Sequence, residues 1–525
     1  MAGDVRKLGI GIQDFKKLRE GGYVYVDKTE YLYRLVSLST PFFLSRPRRF
    51  GKSLFLSMLR YYWEGEKGLF EGLAIEELLA DDVHDWEPYP VFYFDFNKEN
   101  FNSPEALEKV LNIHLSGWEE TYGRNPVEET LSQRFCGVLQ RAYEQTGKRC
   151  VILVDEYDKP LLEVMTDDDR TEHNRQVFKG FFSVLKSYDS YIQFVFITGV
   201  TKFSKVSIFS DLNNLEDISM DEEYAGLCGI TEEELRENFA IEVENCSRKN
   251  GISVDECYET LRTTYDGYHF AMGSEGIYNP FSLITALKKK NFGYHWFETG
   301  TPTFLVKQLK KINFDPSQIT DGKIYATDED IKDYRTENPD PVPLLYQTGY
   351  LTIKAYDEEF KSYQLGYPND EVKYGFIRSL APVYLSDGAE ESPLGLERFL
   401  MDMRNADTDS LRDRFIQLYA SLPYGEGNYL ERDFQNVIYI VFMLMGQRVY
   451  TEIHSAKGRA DVVVELKNNI YIFEFKRDKS AQEALAQIEE MGYADRYAAD
   501  PRPLIKIGAN FDSNKRALTE WEAVH

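Results

Sequence analysis

The chain has 525 residues, 43% of them hydrophobic and 14% aromatic, which indicates a globular protein of roughly three or four domains at about 150 residues each. Its 61 basic and 87 acidic side chains give a net charge of -26, which argues against a protein that coats nucleic acid with its whole surface. Five cysteines without a C-x-x-C pair indicate neither a disulfide framework nor a zinc knuckle. With no apolar signal core at the N-terminus and no apolar run long enough to span a bilayer, we expect a soluble cytoplasmic protein without membrane contact.

A short aromatic and β-branched run at residues 23–29 is followed by an amphipathic segment that extends to about residue 38. It lies just upstream of a basic Gly-Lys-Ser segment. Chain in that position often helps to enclose the base in phosphate-loop proteins, so Tyr25–Thr29 is a candidate for a nucleotide pocket. An edge strand followed by a capping turn is the alternative.

Residues 42–53 predict a buried strand, a basic loop and the start of a helix, the order typical of a phosphate-binding loop. Gly51 would let the backbone approach an anion, Lys52 would reach the terminal phosphates, and Ser53 would ligate Mg²⁺ at the helix N-terminus. The first glycine of the usual G-x-x-x-x-G-K-S pattern is replaced by Arg46. The alternative is a chance Gly-Lys-Ser at the start of an ordinary helix, and other segments of the chain must decide between the two interpretations.

A continuous aliphatic strand at residues 150–154 ends in two adjacent acids, Asp155 and Glu156. Such a run is typical of a parallel sheet covered on both faces. In a nucleotide hydrolase the first acid can hold the magnesium shell and the second can orient the attacking water. A solvated pair at a strand end is the alternative, but a strand-Asp-Glu segment about one hundred residues after Gly-Lys-Ser favours the hydrolase.

Two further strands are predicted at residues 91–96 and 194–197. The second leads into Thr198, a candidate sensor of the γ-phosphate, because such sheets bind ligands at the carboxyl ends of their strands. Lys202 and Lys205 could help to neutralise phosphates, although a lysine after a strand is usually a solvated loop residue.

The middle of the chain contains helical patterns at residues 231–246 and 283–290 and no catalytic constellation. Residues 345–353 predict a strand pair or a strand–helix junction. His269 and His295 are isolated among aromatic residues and fit packed or hydrogen-bonded structural histidines better than metal ligands.

The second group of ionisable residues begins with a helix whose apolar stripe covers residues 434–445, with Glu431 three residues before it. Two apolar strands around residues 467–469 then predict a β-hairpin. If a two-residue turn centres on Asn468 and Asn469, position 461 faces position 476. Three ionisable groups then converge, because strand side chains share a face every two residues.

The converging groups are Asp461, Glu474 and Lys476. A hard divalent cation prefers oxygen ligands, so the two acids would bind Mg²⁺ while the lysine orients the nucleophilic water and stabilises charge on a phosphate. A surface ion ladder is the alternative, but the strand that carries Glu474 is apolar on both faces. A nuclease site is the better interpretation.

The chain resembles the bacterial AAA-ATPase-like proteins whose C-terminus carries a PD-(D/E)XK nuclease domain. The family's marker segments are present as Tyr25–Thr29, Arg46–Leu54 and Val154–Pro160, and Arg-Pro-Arg-Arg in the loop is usual for the family. Gly458–Asp461 and Phe473–Lys476 match the core of the nuclease superfamily, with Ala460 in place of its proline.

The resemblance implies an α/β fold with three parts: an AAA-like P-loop NTPase domain with a parallel sheet at 1–225, a helical lid and connecting domain at 226–394, and an α/β PD-(D/E)XK nuclease-like domain at 395–525. It adds Arg49 to the nucleotide-binding candidates Gly51, Lys52, Ser53, Asp155 and Thr198. The metal candidates are Ser53, Asp155, Glu431, Asp461 and Glu474, with Gln487 and Tyr493 as accessory residues.

We therefore expect an ATP-binding module coupled to a magnesium-dependent nuclease that acts on DNA, with ATP and Mg²⁺ as cofactors and a homo-oligomer as a possible assembly. Glu156, Asp461, Glu474 and Lys476 are the catalytic candidates. The alternative is a nucleotide-gated switch or partner-binding protein in which one or both centres are catalytically silent.

Overall fold

The computed structural model describes residues 6–38, 40–80, 86–101, 103–165, 167–202, 214–296, 305, 309, 314, 316–320, 322–332, 340–384, 396–420, 439–443, 448–455, 458–515 and 517–525. The chain divides into two compact units. The first unit comprises Met1–Thr299 and Ile324–Glu371, and the second comprises Gly300–Lys323 and Val372–His525. The three-domain division expected from the sequence stays a prediction.

Three sheets contain the named strands. The strands are β1 (Phe42–Ser45), β2 (Val91–Asp95), β3 (Cys150–Asp155), β4 (Ile192–Gly199), β5 (Glu216–Asp217), β6 (Ile324–Thr327), β7 (Thr352–Asp357), β8 (Ser362–Gly366), β9 (Arg448–Ser455), β10 (Gly458–Glu465), β11 (Ile470–Arg477), β12 (Leu504–Asp512) and β13 (Ala517–Val524). Their orders are β2-β3-β4-β1-β5, β6-β8-β7 and β13-β12-β11-β10-β9.

The helices of the first half are α1 (Phe15–Glu20), α2 (Thr29–Val36), α3 (Lys52–Trp63), α4 (Ala74–Leu78), α5 (Ala106–Tyr122), α6 (Leu131–Thr146), α7 (Lys159–Leu162), α8 (Asp168–Phe182), α9 (Val184–Ser187), α10 (Glu232–Asn250) and α11 (Val254–Tyr265). Those of the second half are α12 (Pro280–Lys289), α13 (Ser317–Thr320), α14 (Asp328–Lys332), α15 (Val342–Gln347), α16 (Asp370–Tyr384), α17 (Leu396–Arg404), α18 (Thr408–Ala420), α19 (439–443) and α20 (Ala481–Glu490). No helix in this described part of the chain combines the length and apolarity needed to cross a bilayer.

The first sheet is parallel throughout, and this confirms the α/β class. All six residues of β3 are buried, as expected for a strand with helices on both faces. The predicted strands at 42–45, 91–96, 150–154 and 194–197 are all present. Their register sets Asp95 beside Asp155 and Leu44 beside Thr198, so the polar side chains that follow the apolar runs lie at one edge of the sheet.

The part of the first unit after β5 contains the predicted helices as α10 and α12. Together with α11 they enclose an apolar core that includes Leu8 from the N-terminal segment. Residues 345–353 do not form a strand pair: α15 ends at Gln347 and β7 begins at Thr352, so this segment is a junction that runs from helix to strand.

The two histidines of this region have structural surroundings. His269 Nδ1 lies 2.8 Å from the carbonyl oxygen of Ser274. His295 is buried, and its ring stacks on Tyr265 with centroids 6.3 Å apart.

The second unit contains a mixed sheet in which β11 and β12 are parallel and the other neighbours are antiparallel. Helix α20 packs closely on this sheet at Gly508, where an added Cβ would lie only 2.3 Å from the carbonyl oxygen of Ala481. The predicted hairpin is β10–β11. Of the predicted helix at 434–445, only residues 439–443 are among those described, and Glu431 lies outside them.

The register of the hairpin differs from the prediction. Val462 pairs with Phe473 and Glu465 with Ile470, and the amide of Leu466 donates to the carbonyl oxygen of Asn469 at 2.8 Å. The turn therefore centres on Lys467 and Asn468. Continuing the register places position 461 opposite position 474 instead of 476.

Candidate functional sites

The phosphate loop connects β1 to α3, and its geometry begins with Gly51. Gly51 caps α3 with φ 96°, a left-handed conformation that glycine adopts readily. A Cβ added there would meet no atom within 4 Å, so the start of the helix has open space beside it. Backbone amides at a helix N-terminus are a suitable cradle for a phosphate group, and this segment fits one.

Lys52 follows directly and is buried, with 5% of its surface exposed. Its ammonium group donates to the carbonyl oxygens of Arg46 at 2.8 Å and Pro47 at 3.0 Å. Burial lowers the pKa of Lys52, and the nearby Glu156 carboxylate is the largest of the effects that oppose this decrease. The positive charge of Lys52 therefore lies inside the loop, facing the acids at the end of β3.

Ser53, Asp155 and Thr198 come together at the carboxyl ends of the strands. The Thr198 hydroxyl donates to Asp155 Oδ1 at 2.8 Å. Burial raises the pKa of Asp155, and hydrogen bonds from Ser53 and Thr198 oppose that rise. A hydroxyl and a carboxylate in contact are suitable oxygen ligands for Mg²⁺, so these residues fit the metal of a bound nucleotide.

Glu156 occupies an unusual backbone position, with φ 50°. A non-glycine residue in the left-handed region is uncommon, and such strain is concentrated at functional sites. Burial raises the pKa of Glu156, while the charge of Lys52 opposes the rise. The strand end thus holds this carboxylate within the electrostatic influence of the loop lysine.

Asp158, a third acid in the same segment, holds the chain after β4. Its Oδ2 accepts hydrogen bonds from the amides of Val200 at 2.9 Å and Thr201 at 2.6 Å. Because both bonds go to backbone groups, its contacts are structural. Glu156 therefore remains the better candidate for orienting water.

Arg46 has a role that the sequence pattern does not reveal. It is 1% exposed and donates to the carbonyl oxygens of Ser45, Ser219 and Tyr224 at 2.9, 2.6 and 3.1 Å. Its guanidinium group also lies 4.1 Å from the centre of the Phe270 ring. The residue that replaces the first glycine thus anchors the base of the loop to the segment that follows β5.

Arg46→Ala is expected to destabilise the first unit by about 2 to 3 kcal/mol, because it leaves buried carbonyl groups without their charged donor. The measurement is urea denaturation followed by tryptophan fluorescence, in which the transition should move to a lower urea concentration. Arg48→Ala is the matched control because Arg48 is exposed. Equal midpoints for the two variants would contradict the anchoring role.

Arg49, the other nucleotide-binding candidate of the loop, is exposed and has φ 69°. Its guanidinium lies 4.8 Å from the centre of the Phe281 ring. The ammonium of Lys202 pairs with the Asp217 carboxylate at 2.6 Å instead of with Asp155 or Thr198. Lys205 lies outside the described residues.

The marker segment Tyr25–Thr29 makes capping contacts. Asp27 Oδ1 accepts from the amide and hydroxyl of Thr29 at 2.8 and 2.7 Å, and Oδ2 accepts from the amide of Ala74 at 2.7 Å. The ammonium of Lys28 donates to the carbonyl oxygen of Gly226 and to Glu234. Of the two interpretations considered for this segment, these contacts favour the capping turn.

The candidate nuclease site is carried by β10, β11 and α20. Asp461 Oδ2 accepts from the amide of Phe475 at 2.8 Å. Lys476 Nζ donates to Glu474 Oε1 at 2.7 Å and to Gln487 Oε1 at 2.5 Å. Gln487 Nε2 in turn donates to the Tyr493 hydroxyl at 3.2 Å, so α20 fixes the position of the lysine.

Glu474 is the most deeply buried charged group of this site, with 1% exposure. Burial raises the pKa of its carboxyl, and the hydrogen bond from Lys476 opposes the rise. Its second oxygen, Oε2, is buried and accepts no hydrogen bond from the residues that the structure describes. A buried carboxylate oxygen without a donor is costly, and a cation at that oxygen would compensate it.

The described residues contain no cluster of three or more His, Cys, Asp or Glu side chains placed to hold a metal ion. A cation at Glu474 would therefore use the two acids Asp461 and Glu474 with backbone carbonyls or water as its remaining ligands. That oxygen donor set fits Mg²⁺, which usually keeps several waters.

Comparison with known proteins bears on both sites. Residues 9–209 match the family described as "Predicted AAA-ATPase", and residues 429–521 match the PD-(D/E)XK nuclease superfamily. A protein of Azotobacter chroococcum mcd 1, described as an uncharacterized protein in the vnfD 5' region, is 36% identical over 525 aligned positions, and the match covers 98% of this chain and 98% of that protein. The chain belongs to the AAA-ATPase-like family with a C-terminal PD-(D/E)XK domain.

The solved structure of the Aeropyrum pernix ORC1 protein in complex with DNA also shows some similarity to this chain. The match covers 67% of this chain and 91% of that chain, with 11% sequence identity and a TM-score of 0.24. A similarity this low carries no argument about fold or function.

In this family member the structure brings together two sets of sequence-predicted residues. Lys52 and Ser53 lie with Asp155, Glu156 and Thr198 at the carboxyl ends of the first sheet. The second set comprises Asp461, Glu474, Lys476, Gln487 and Tyr493. Arg46 is the residue whose role sequence reasoning missed, and its only signal was the departure from the glycine pattern.

Proposed function

We propose that the chain binds and hydrolyses ATP and cleaves DNA in a magnesium-dependent reaction. The observation that carries the nuclease assignment is the buried Glu474 carboxylate, with one oxygen bonded to Lys476 and the other without a donor among the described residues. On the ATPase side, the contacts among Asp155, Ser53 and Thr198 support the proposal.

In the proposed ATPase, the loop amides after Gly51 and the ammonium of Lys52 would hold the phosphates, and Ser53 and Asp155 would hold Mg²⁺. Bound Mg²⁺ would neutralise phosphate charge. Glu156 would orient the attacking water, because its carboxylate is held at the strand end, where the charge of Lys52 acts on it. Thr198, bonded to Asp155, would report on the terminal phosphate.

In the proposed nuclease, Asp461 and Glu474 would hold Mg²⁺, which supplies Lewis-acid activation of a water and of the phosphodiester. Lys476 would donate a hydrogen bond to the attacking water or to a phosphate oxygen. Its orientation is set from two sides, by Glu474 and by Gln487. A lysine held in this way loses little freedom when it acts, which favours catalysis.

The test uses the full-length protein with linear, circular and single-stranded DNA, each with and without Mg²⁺ and ATP. We expect cleavage that requires Mg²⁺ and stops on addition of a chelator. ATP hydrolysis is measured in the same mixtures by phosphate release. If neither reaction occurs in any mixture, the proposal is wrong and the nucleotide-gated switch is the better interpretation. Defence against foreign DNA or maintenance of mobile elements would combine the two activities.

Glu156→Gln is expected to retain ATP but to hydrolyse it at least about 100-fold more slowly, because an amide keeps the shape of the side chain and cannot polarise water as a carboxylate does. Phosphate release and ATP binding are measured on the same preparation. Glu237→Gln, which changes an exposed carboxylate on α10, is the control. Unchanged turnover in Glu156→Gln would remove this residue from the reaction.

A further inference from the structure

The first unit contains a second cleft next to the phosphate loop. It lies at the carboxyl ends of β1, β4 and β5. Its polar lining comes from Arg46, Lys202, Asp217 and Ser219. Its apolar lining includes Phe270 and Leu351. Gly51, Lys52 and Ser53 are not among the residues that line it, so this cleft is separate from the cradle at the start of α3.

Arg46 contributes a buried positive charge to the wall of this cleft. All three hydrogen bonds of the guanidinium go to neutral carbonyl groups. Its Nε is buried and has no acceptor among the residues that the structure describes. A guanidinium stays charged even when buried, and neutral carbonyl groups compensate a buried charge less fully than a directly bonded carboxylate would. The cleft wall thus contains a positive charge with an unused donor.

Two further donors face the same space. Ser219 accepts from the amide of Ser45 at 2.8 Å through its hydroxyl oxygen, an arrangement that leaves the hydroxyl proton to be donated. Lys202 also lines the cleft, and its ammonium pairs with Asp217 at 2.6 Å. The charges of Arg46, Lys202 and Asp217 give the cleft one net positive charge, although the whole chain has a formal charge of -26.

We propose that this cleft binds a small oxyanion of the phosphate class, held by Arg46, Ser219 and Lys202. The ligand is either free inorganic phosphate or the phosphate of a small phosphomonoester. Asp217 competes with it for Lys202. This site goes beyond the proposed ATPase and nuclease reactions and requires neither of them.

The test must exclude the phosphate loop, which would bind the same ion. Full-length Lys52→Ala is therefore the background, and inorganic phosphate is titrated into it by calorimetry at constant ionic strength. We expect saturable binding. Adding Lys202→Met should weaken it about tenfold, as expected for loss of one charge-assisted hydrogen bond. Lys186→Met, which removes an exposed lysine of α9, should leave it unchanged.

Asp217→Asn gives the opposite sign and guards against a variant that simply fails to fold. In the native protein Asp217 Oδ1 accepts a hydrogen bond from the backbone amide of Ser219 at 3.0 Å, and the side-chain oxygen of asparagine can still accept it. The asparagine side chain is uncharged, so it no longer neutralises Lys202. Phosphate should then bind several-fold more tightly, a gain that misfolding cannot produce.

Ribose 5-phosphate, titrated into the same set of proteins, separates the two sources. Binding of both probes with the same sensitivity to Lys202→Met and Asp217→Asn identifies a phosphomonoester site, and binding of inorganic phosphate alone identifies a site for the free ion. Absence of saturable binding of either probe to Lys52→Ala would overturn the proposal. Binding that neither Lys202→Met nor Asp217→Asn changes would overturn it equally.

Discussion

Lys52→Ala is expected to weaken ATP binding at least about 100-fold, which corresponds to about 2.8 kcal/mol. The physical reason is the position of the ammonium group. It is buried in the loop, and its hydrogen bonds to the described residues go only to carbonyl oxygens. Such a donor can turn to the terminal phosphates of a nucleotide without losing a charged partner. Removing it takes the principal positive charge from the cradle.

The measurement is calorimetry with ATP and Mg²⁺, accompanied by a circular dichroism melt that shows the variant is folded. Lys186→Ala is the matched control, since it removes a lysine of similar length from an exposed position. An unchanged affinity in folded Lys52→Ala would exclude the loop from the nucleotide site. Loss of affinity in both variants would indicate a general electrostatic effect instead of a specific contact.

The parallel sheet was predictable because its strands carry local signals. Each consists of a short apolar run that ends in a polar or charged residue, and parallel strands align those ends at one edge. The approach of Thr198 to Asp155 follows from that alignment. The role of Arg46 was not predictable, because its acceptors on Ser219 and Tyr224 lie 173 and 178 positions further along the chain.

The predicted position of the β10–β11 turn was wrong, but this error does not change which side chains share a face of the hairpin. The turn centres one residue earlier than predicted, and Asn469 gives the reason. Its side chain is buried and donates to the carbonyl oxygens of Met403 at 2.9 Å and Arg404 at 3.2 Å, contacts that local sequence does not reveal. Moving a turn by one residue shifts the register by two, which keeps every side chain on its face. The acids and the lysine therefore still converge.

The accessory residues depended on the family resemblance and not on local pattern. Gln487 lies on α20, eleven positions after Lys476, and a glutamine on an amphipathic helix has no distinctive signal of its own. The contact between its side chain and Lys476 arises because α20 packs closely on the parallel pair β11–β12 at Gly508. That packing is tertiary, so spacing in the sequence could not give it.

Glu474→Gln and Lys476→Met are each expected to reduce magnesium-dependent DNA cleavage by at least about 100-fold, for different reasons. The glutamine variant removes the charge of a buried oxygen that has no donor among the described residues, so metal affinity should fall with cleavage. The methionine variant keeps both acids, so metal binding should persist while cleavage is lost. Asp461→Asn should resemble the glutamine variant.

Cleavage of labelled DNA and calorimetry with Mg²⁺ are measured on the same preparations, in the absence and presence of ATP. Glu490→Gln and Lys515→Met change exposed residues of the same unit and should cut DNA as the unaltered protein does. ATP binding should be unchanged in every variant, because the phosphate loop belongs to the first unit and these residues to the second. If the unaltered protein cuts DNA and the Asp461, Glu474 and Lys476 variants cut equally well, the reaction takes place elsewhere in the chain.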